Sequence, residues 1–171
     1  MFRFLYPKEY LQSVYEVTVD KLKKLNIDTV IFDIDNTLVP YWIKEPDNKL
    51  RKYFATLKNG GIKLGILSNS KEERSKTFCK SVNIPYEFRA KKPSVKGFFK
   101  IIERLNSKPE RTMLLGDQIF TDIWCGNRAG AYSVLVKQVD KKDELITAPK
   151  RPFEKIILKF YLRNEAKQSG K

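Results

Sequence analysis

The sequence predicts an α/β fold built around a mainly parallel β-sheet. Short β-prone apolar runs alternate along the chain with amphipathic segments that have the spacing of helices. Such alternation is typical of right-handed βαβ units, which place consecutive strands parallel in one sheet. The length of 171 residues fits one domain with a full core, so we expect a single domain over residues 1–171.

Each predicted element follows from a local pattern. The predicted strands are apolar runs bounded by turn residues, at 30–33, 63–67, 86–88, 112–115 and 131–136. The predicted helices lie between them, at 47–58, 72–82, 94–105 and 119–129. The first of these helices ends at Asn59-Gly60-Gly61, which is a helix-stop signal. The third carries a core stripe at helical spacing, formed by Val95, Phe98, Phe99, Ile102 and Leu105.

Both ends of the chain are predicted to be extensions of this core. The N-terminal segment, residues 1–25, is rich in large apolar side chains, and we expect it to pack beside a helix at the other end. Its apolar residues are Phe2, Phe4, Leu5, Tyr10, Leu11, Val14 and Tyr15.

Residues 150–165 predict a basic amphipathic helix. Its apolar face would consist of Phe153, Ile156, Ile157, Phe160 and Tyr161. Its basic stripe would consist of Lys155, Lys159 and Arg163. Two interpretations stay open: the apolar face packs onto the domain, or the helix lies on an anionic membrane surface.

The composition excludes several kinds of chemistry. The chain has no histidine, which removes Ser-His-Asp catalysis, Cys-His catalysis and histidine-ligated zinc. Cys79 and Cys125 are too few and too far apart in sequence for a zinc module or a disulfide framework. We therefore expect two buried thiols in a protein of the reducing cytoplasm.

The net charge of +14 is large for a chain of this size. It fits an anionic partner such as a phosphate ester, an acidic membrane surface or RNA. The alternative is a lysine-rich surface without a dedicated partner, because basic residues occur throughout the chain. No apolar run is long enough for a membrane-spanning helix, and the first residues lack a signal-peptide pattern. We expect a cytoplasmic location, with peripheral attachment to the inner face of the membrane as one option.

Two aspartates follow the first predicted strand. Apolar Val30-Ile31-Phe32 leads to Asp33, and Asp35 comes shortly after it, before the turn signal Asn36-Thr37. Two carboxylates held close together repel one another unless a cation or a proton separates them. Mg²⁺ is a hard ion that favours carboxylate and water oxygens, so it is the simplest cation for such a site.

Three further polar segments follow apolar runs in the same way. They are Ser68-Asn69, Lys92-Pro93 and Asp117-Gln118. Ligands of open parallel sheets bind beyond the carboxyl ends of the strands. Because Asp33 and these segments all fall at or just past predicted strand ends, we expect them to share one site.

Together these segments resemble the signature of the haloacid dehalogenase (HAD) superfamily. Residues 33–37 resemble its DxDxT motif, and Gly116-Asp117 with Thr121-Asp122 resembles its second acidic block. Gly116-Asp117-Gln118 and the 125–130 run look most similar to the YqeG group of type IIIA phosphatases. That group is itself similar to the eukaryotic phosphatidylglycerophosphate phosphatases. The resemblance covers about 26–139 and implies a HAD-type, Rossmann-like three-layer sandwich.

The resemblance implies a role for each matching residue. Asp33 would be the nucleophile that forms an aspartyl-phosphate, and Asp35 the general acid and base. The phosphate-binding residues would be Ser68, Asn69 and Lys92. The Mg²⁺ ligands would be Asp33, Asp117 and the carbonyl oxygen of Ile34, supported by Thr37, Gln118 and Asp122. Many relatives carry a second acid at the position of Gln118, so in that pair only Asp117 can be a charged ligand.

The intervals between the motifs leave room for a short flap at 39–46 but for no inserted cap domain. The chain is therefore predicted to be capless, with an open site that suits a phosphate on a bulky substrate. Tyr41 and Trp42 of the flap would either contact such a substrate or pack onto the domain.

The leading functional hypothesis is a Mg²⁺-dependent phosphomonoester hydrolase that acts through an aspartyl-phosphate on a bulky substrate, for which the resemblance suggests phosphatidylglycerophosphate. One alternative is a phosphatase of another substrate, such as a protein, a nucleic acid or a sugar phosphate. A second alternative is a non-catalytic anion- or RNA-binding protein on the same fold. The intact set of acidic and basic residues favours turnover, since a pure binder needs no acid/base pair.

Overall fold

The computed structural model describes residues 3–140 and 148–169. The strands are β1 (Glu9–Leu11), β2 (Thr29–Phe32), β3 (Lys63–Leu67), β4 (Tyr86–Glu87), β5 (Thr112–Gly116) and β6 (Tyr132–Val136). The helices are α1 (Val19–Lys24), α2 (Asn48–Asn59), α3 (Glu72–Lys80), α4 (Lys96–Arg104), α5 (Trp124–Ala129) and α6 (Arg151–Ser169). A π-helical turn, Ile119–Ile123, runs directly into α5.

The strands form one sheet in the order β1-β6-β5-β2-β3-β4, and every neighbouring pair is parallel. This confirms the predicted α/β fold. β2 lies centrally between β5 and β3, and its last residue, Phe32, is level with Ile66 and Leu115. The segments that leave these three strands therefore start from the same edge of the sheet.

Helices cover both faces of the sheet. Phe32 packs against Phe54 of α2 on one face, whereas the preceding residue, Ile31, packs against Phe98 of α4 on the other. Neighbouring side chains of a strand point to opposite faces, so a fully apolar β2 serves both layers. The three-layer sandwich is thus confirmed. Phe99 lies outside the core with 44% of its surface exposed, although the sequence predicted it to be part of the core.

The predicted elements are present with small shifts at their ends. The predicted strand 30–33 is Thr29–Phe32, which leaves Asp33 as the first residue beyond the strand. The predicted helix 119–129 is divided into the π-helical turn and α5. Cys79 and Cys125 are buried free thiols, as expected, and burial raises the pKa of each thiol to about 12.

The N-terminal segment contributes more than packing. Its strand β1, which the sequence did not predict, extends the sheet by pairing with β6. Leu5 shares an apolar cluster with Ile157 of α6, and the rings of Tyr6 and Tyr161 lie 5.7 Å apart. The expected contact between the two chain ends is therefore confirmed, while Phe2 lies outside the described residues.

α6 packs onto the domain with only part of its predicted apolar face. Ile157 and Tyr161 are buried, but Phe153, Ile156 and Phe160 are 64%, 54% and 48% exposed. Packing is therefore confirmed for two of the five residues, and the membrane interpretation of the face stays a prediction.

Among the described residues, no helix combines the length and the apolar character needed to cross a bilayer.

Candidate active site

Side chains from four segments meet beyond the carboxyl edge of the sheet. Asp33 follows β2, Ser68 follows β3, Lys92 lies in the loop after β4, and Asp117 follows β5. All four side chains are buried. The parallel register brings these strand ends level with one another, so residues that are far apart in sequence become neighbours.

The ammonium group of Lys92 is the centre of this site. Its Nζ atom lies 2.6 Å from Asp33 Oδ1 and 2.6 Å from Asp122 Oδ1. It also donates a hydrogen bond of 2.7 Å to the carbonyl oxygen of Leu67 at the end of β3. Burial alone would lower the pKa of Lys92, but the negative charges of Asp122 and Asp33 raise it above its ordinary value. The lysine therefore stays protonated and holds three segments together.

Asn69 fixes the backbone that carries this lysine. Its Oδ1 atom accepts a hydrogen bond of 2.7 Å from the Lys92 N–H, and its Nδ2 atom donates one of 3.3 Å to the Lys92 carbonyl. The peptide bond between Lys92 and Pro93 is cis. The side chain of Asn69 thus contributes to the site by orienting Lys92.

Thr37 bridges two of the predicted metal ligands. Its hydroxyl oxygen is 3.2 Å from Asp33 Oδ2 and 3.1 Å from Asp117 Oδ1. Close by, Asp122 Oδ2 accepts a hydrogen bond of 3.1 Å from the Gln118 N–H, which closes the turn after β5. This turn requires a glycine at position 116, because a Cβ there would lie 2.1 Å from Asp122 Cγ.

Three buried carboxylates are close enough to share a cation. Oxygen atoms of Asp33, Asp117 and Asp122 lie within 4.8 Å of one another. Burial raises the pKa of Asp33 well above its ordinary value; Lys92 opposes this shift, whereas the neighbouring carboxylates increase it. Burial also raises the pKa of Asp117 to about 7, against the opposing charge of Arg151. An all-oxygen donor set with excess negative charge fits a hard divalent cation such as Mg²⁺.

The carbonyl oxygen of Ile34, a predicted metal ligand, lies in the sharp turn after β2, where Asn36 has a φ of 60°. It accepts a hydrogen bond of 2.9 Å from the Leu38 N–H and lies 3.3 Å from the N atoms of Thr37 and Val39. A carbonyl oxygen has two lone pairs, so these contacts leave ligation by Ile34 a prediction.

Asp35 lies on the open side of the site and has its own partners. Its Oδ1 atom accepts hydrogen bonds from Arg74 Nε at 3.1 Å and Arg74 Nη2 at 2.9 Å, and its Oδ2 atom accepts one from Ser70 Oγ. Arg74 Nη1 also donates to the carbonyl of Lys44 in the flap, at 3.2 Å. The sequence did not lead us to predict Ser70 and Arg74 as partners of Asp35. The one indication it offered is their position, with Ser70 just after β3 and Arg74 in the first turn of α3.

An open cleft of about 490 Å³ gives access to these groups. Asp33 and Asp35 line it together with the neutral polar residues Ser68, Asn69, Gln118 and Thr121. Three cations, Lys71, Arg74 and Lys150, also line the cleft. Tyr41 and Trp42 of the flap are 37% and 43% exposed, which leaves both rings accessible from solvent.

The first turn of α6 reaches the far side of the carboxylate cluster. Arg151 forms an ion pair with Asp117, and Glu154 accepts a hydrogen bond of 3.0 Å from the Phe120 N–H. Sequence reasoning assigned this helix only to packing or to a membrane surface. No local pattern marks Arg151, because its partner lies 34 positions earlier in the chain.

Comparison with known proteins gives consistent matches. A family model described as haloacid dehalogenase-like hydrolase matches residues 41–130. The probable phosphatase YqeG of Bacillus subtilis (strain 168) is 36% identical over 156 residues, which cover 91% of each chain. Phosphatidylglycerophosphate phosphatase 1, chloroplastic/mitochondrial, of Arabidopsis thaliana is 26% identical over 96% of this chain and 50% of its own length.

A solved structure shares the fold. It is the cobalt-bound form of the deoxy-D-mannose-octulosonate 8-phosphate phosphatase from Haemophilus influenzae. Its TM-score is 0.55 at 18% identity, over 67% of this chain and 70% of that chain. At this identity the likeness concerns the fold alone.

The raised pKa of Asp117 predicts how Mg²⁺ should affect stability. A carboxyl whose pKa rises from 3.8 to about 7 on folding destabilises the folded state progressively as the pH increases through that range. Mg²⁺ should relieve this effect by neutralising the carboxylates. We expect Mg²⁺ to raise the melting temperature more at pH 8 than at pH 6, measured by calorimetry. Asp117→Asn should remove most of this difference, and an equal effect of Mg²⁺ at both pH values would contradict the assignment.

Proposed function

Because the chain belongs to the haloacid dehalogenase-like hydrolase family, we propose that it is a Mg²⁺-dependent phosphomonoesterase with Asp33 as its nucleophile. The motif resemblance to this family and to the YqeG group is borne out by the matches above. One observation carries the proposal: the Lys92 ammonium lies 2.6 Å from Asp33 Oδ1 at the base of an open cleft, while a second carboxylate, Asp35, lines the same cleft.

The proposed reaction has two steps. In the first, Asp33 Oδ2 attacks phosphorus, the bond to the ester oxygen breaks, and Asp35 donates a proton to the leaving oxygen. In the second, Asp35 takes a proton from a water molecule that attacks the same phosphorus, and the bond to Asp33 breaks to release phosphate. Asp35 is placed for both transfers because its partly exposed side chain lines the cleft together with Asp33.

The surrounding groups stabilise charge during these steps. Lys92 engages Asp33 Oδ1, whereas Oδ2 has among the described residues a single, longer contact of 3.2 Å to the Thr37 hydroxyl, so Oδ2 is the oxygen better placed to react. A divalent cation held by Asp33 and Asp117, with Asp122 beside them, would offset the negative charge of the phosphoryl group. Ser68 at the end of β3 is available to donate a hydrogen bond to a phosphoryl oxygen. Phosphoryl transfer depends mainly on this kind of positioning and charge stabilisation.

We propose an anionic, bulky substrate, with phosphatidylglycerophosphate as the leading candidate. The cleft is open, and its lining includes Lys71, Arg74 and Lys150 in addition to the catalytic groups. These cations suit a substrate that carries a second negative charge near its phosphomonoester, as the headgroup of this lipid does. The name of the Arabidopsis relative supports the same candidate. Sugar phosphates, phosphoproteins and nucleic acid ends are the alternatives that a substrate screen would separate.

We also propose that α6 attaches the protein to an anionic membrane at the inner face. The apolar stripe of α6, defined as Phe153, Ile156 and Phe160, faces solvent, while the other side of the helix is fixed to the domain through Ile157 and Tyr161. The basic stripe, Lys155, Lys159 and Arg163, runs beside the apolar stripe and is also exposed. Apolar side chains flanked by cations are typical of helices that lie in a bilayer interface.

Substitution of the two cleft aspartates tests the proposed chemistry. Asp33→Asn should abolish phosphate release, because an amide cannot serve as the attacking oxyanion. Asp35→Asn should lower kcat on the order of 10²-fold or more by removing the proton donor and acceptor. Phosphate release with Mg²⁺ would be measured on phosphatidylglycerophosphate, sugar phosphates, nucleotides and phosphopeptides. Substantial turnover by Asp33→Asn would show that the nucleophile lies elsewhere.

Liposome co-sedimentation tests the membrane proposal. Each cation near an anionic surface adds on the order of 1 kcal/mol, so Lys155→Glu/Lys159→Glu should weaken binding to anionic liposomes more than tenfold. Phe153→Ser/Phe160→Ser should weaken the binding that persists at high salt.

A matched control is available on α4. Lys96→Glu/Lys100→Glu changes two exposed cations at the same spacing, and it should bind liposomes more tightly than the α6 double variant. Hydrolysis of a small soluble phosphate should be nearly equal in all these variants. Equal losses of binding for the two charge reversals would show that α6 is not the contact surface.

A further inference from the structure

Arg151 lies at the start of α6 and contacts Asp117 in two ways. Its Nη1 atom donates a hydrogen bond of 2.8 Å to the Asp117 carbonyl oxygen, and its Nη2 atom forms an ion pair with Asp117 Oδ2. The arginine side chain is 11% exposed and the aspartate side chain is fully buried. One planar guanidinium therefore fixes both the backbone and the carboxylate of this residue.

Glu154 fixes the guanidinium in turn. Its Oε2 atom lies 3.0 Å from Arg151 Nη1, and its Oε1 atom accepts a hydrogen bond of 3.0 Å from the Phe120 N–H. Glu154 is only 5% exposed, so neither partner can move freely. The result is a continuous chain of contacts from the turn after β5, through α6, to Asp117.

These contacts fix the plane of the Asp117 carboxylate relative to the carboxylate cluster. Arg151 engages Oδ2 from the side of α6, whereas Oδ1 lies 3.1 Å from the Thr37 hydroxyl, which also contacts Asp33. A partial rotation of the carboxylate would weaken both contacts, and a half-turn would only exchange two equivalent oxygens. The orientation of Asp117 is thus set before any metal binds.

We propose that Arg151 is a positioning residue that holds Asp117 in its metal-binding orientation, so that α6 completes the metal site. This inference rests on the proposed function for the identity of the metal. Partners that orient a metal ligand in this way typically contribute about 10- to 100-fold to metal affinity.

The positive charge of Arg151 lowers the affinity of the site for a metal, whereas its orienting contacts raise that affinity. A nearby cation repels Mg²⁺, so repulsion alone would make Mg²⁺ bind more tightly once Arg151 is removed. Here Glu154 lies 3.0 Å from the guanidinium and cancels much of its field. Orientation should therefore outweigh repulsion, and the loss of Arg151 should weaken metal binding.

Direct metal binding by the full chain tests this proposal. Isothermal titration calorimetry with Mg²⁺, and electron paramagnetic resonance with Mn²⁺, would compare the wild type with Arg151→Met and Arg151→Lys. We expect both variants to bind about 10- to 100-fold more weakly, because lysine retains the charge but cannot make the two-pronged contact. Lys167→Met removes an exposed cation from the same helix and should bind Mg²⁺ like the wild type. Circular dichroism would establish that each variant is folded.

Each other outcome has a definite meaning. Equal or tighter binding by Arg151→Met would overturn the proposal and identify the arginine as a cation that competes with the metal. Binding by Arg151→Lys equal to the wild type would overturn it too, because charge alone would then suffice. If Arg151→Met does not fold, Glu154→Gln provides the same test, with a several-fold loss expected and no loss contradicting the proposal. A wild type that binds Mg²⁺ but releases no phosphate would refute the proposed function and leave this inference standing.

Discussion

The rest of the site depends on the contacts made by the buried ammonium group of Lys92. This group contacts Asp33 and Asp122 at 2.6 Å each and the Leu67 carbonyl at 2.7 Å, and so ties the ends of β2 and β3 to the turn after β5. A buried ion of this kind is costly to desolvate, and loss of one partner typically destabilises a protein by about 3–5 kcal/mol. The fold supplies partners for the buried ammonium because the central strands of the parallel sheet end level with one another. Asn69 then holds the backbone of Lys92 from the neighbouring loop.

α6 connects this catalytic edge to the surface of the protein. Its inner side carries Arg151 and Glu154 to the carboxylate cluster, and its outer side carries the exposed apolar and basic stripes. We propose that this one helix contributes both to the metal site and to attachment to a membrane. This arrangement would suit a lipid phosphatase. Lys150 lines the cleft and directly precedes Arg151, the first residue of α6. The N-terminal segment supports the same helix through Leu5 and Tyr6.

Local sequence patterns were sufficient to predict the sheet and the positions of Asp33, Ser68, Lys92 and Asp117. Each of these residues follows an apolar run, and strand ends at one edge of a parallel sheet meet by geometry alone. The pattern could not predict Arg74 or Arg151, whose partners are distant in sequence. For α6, helical spacing identified the apolar residues but not which of them pack onto the domain, since Ile157 and Tyr161 are buried and Phe153 is exposed. The three-residue strand β1 escaped prediction because its pairing with β6 is a tertiary contact.

We propose that Asp33, oriented by Lys92, carries the phosphoryl group during turnover. The most direct measurement is to quench the enzyme with acid during steady-state hydrolysis, reduce any acyl-phosphate with borohydride, and locate the modified residue by peptide mass spectrometry. Asp33 should be converted to homoserine in the presence of substrate and Mg²⁺, and no aspartate should be modified when either is omitted. Modification of Asp35, Asp117 or Asp122 in place of Asp33 would contradict it, as would complete absence of a modified aspartate under conditions in which phosphate is released.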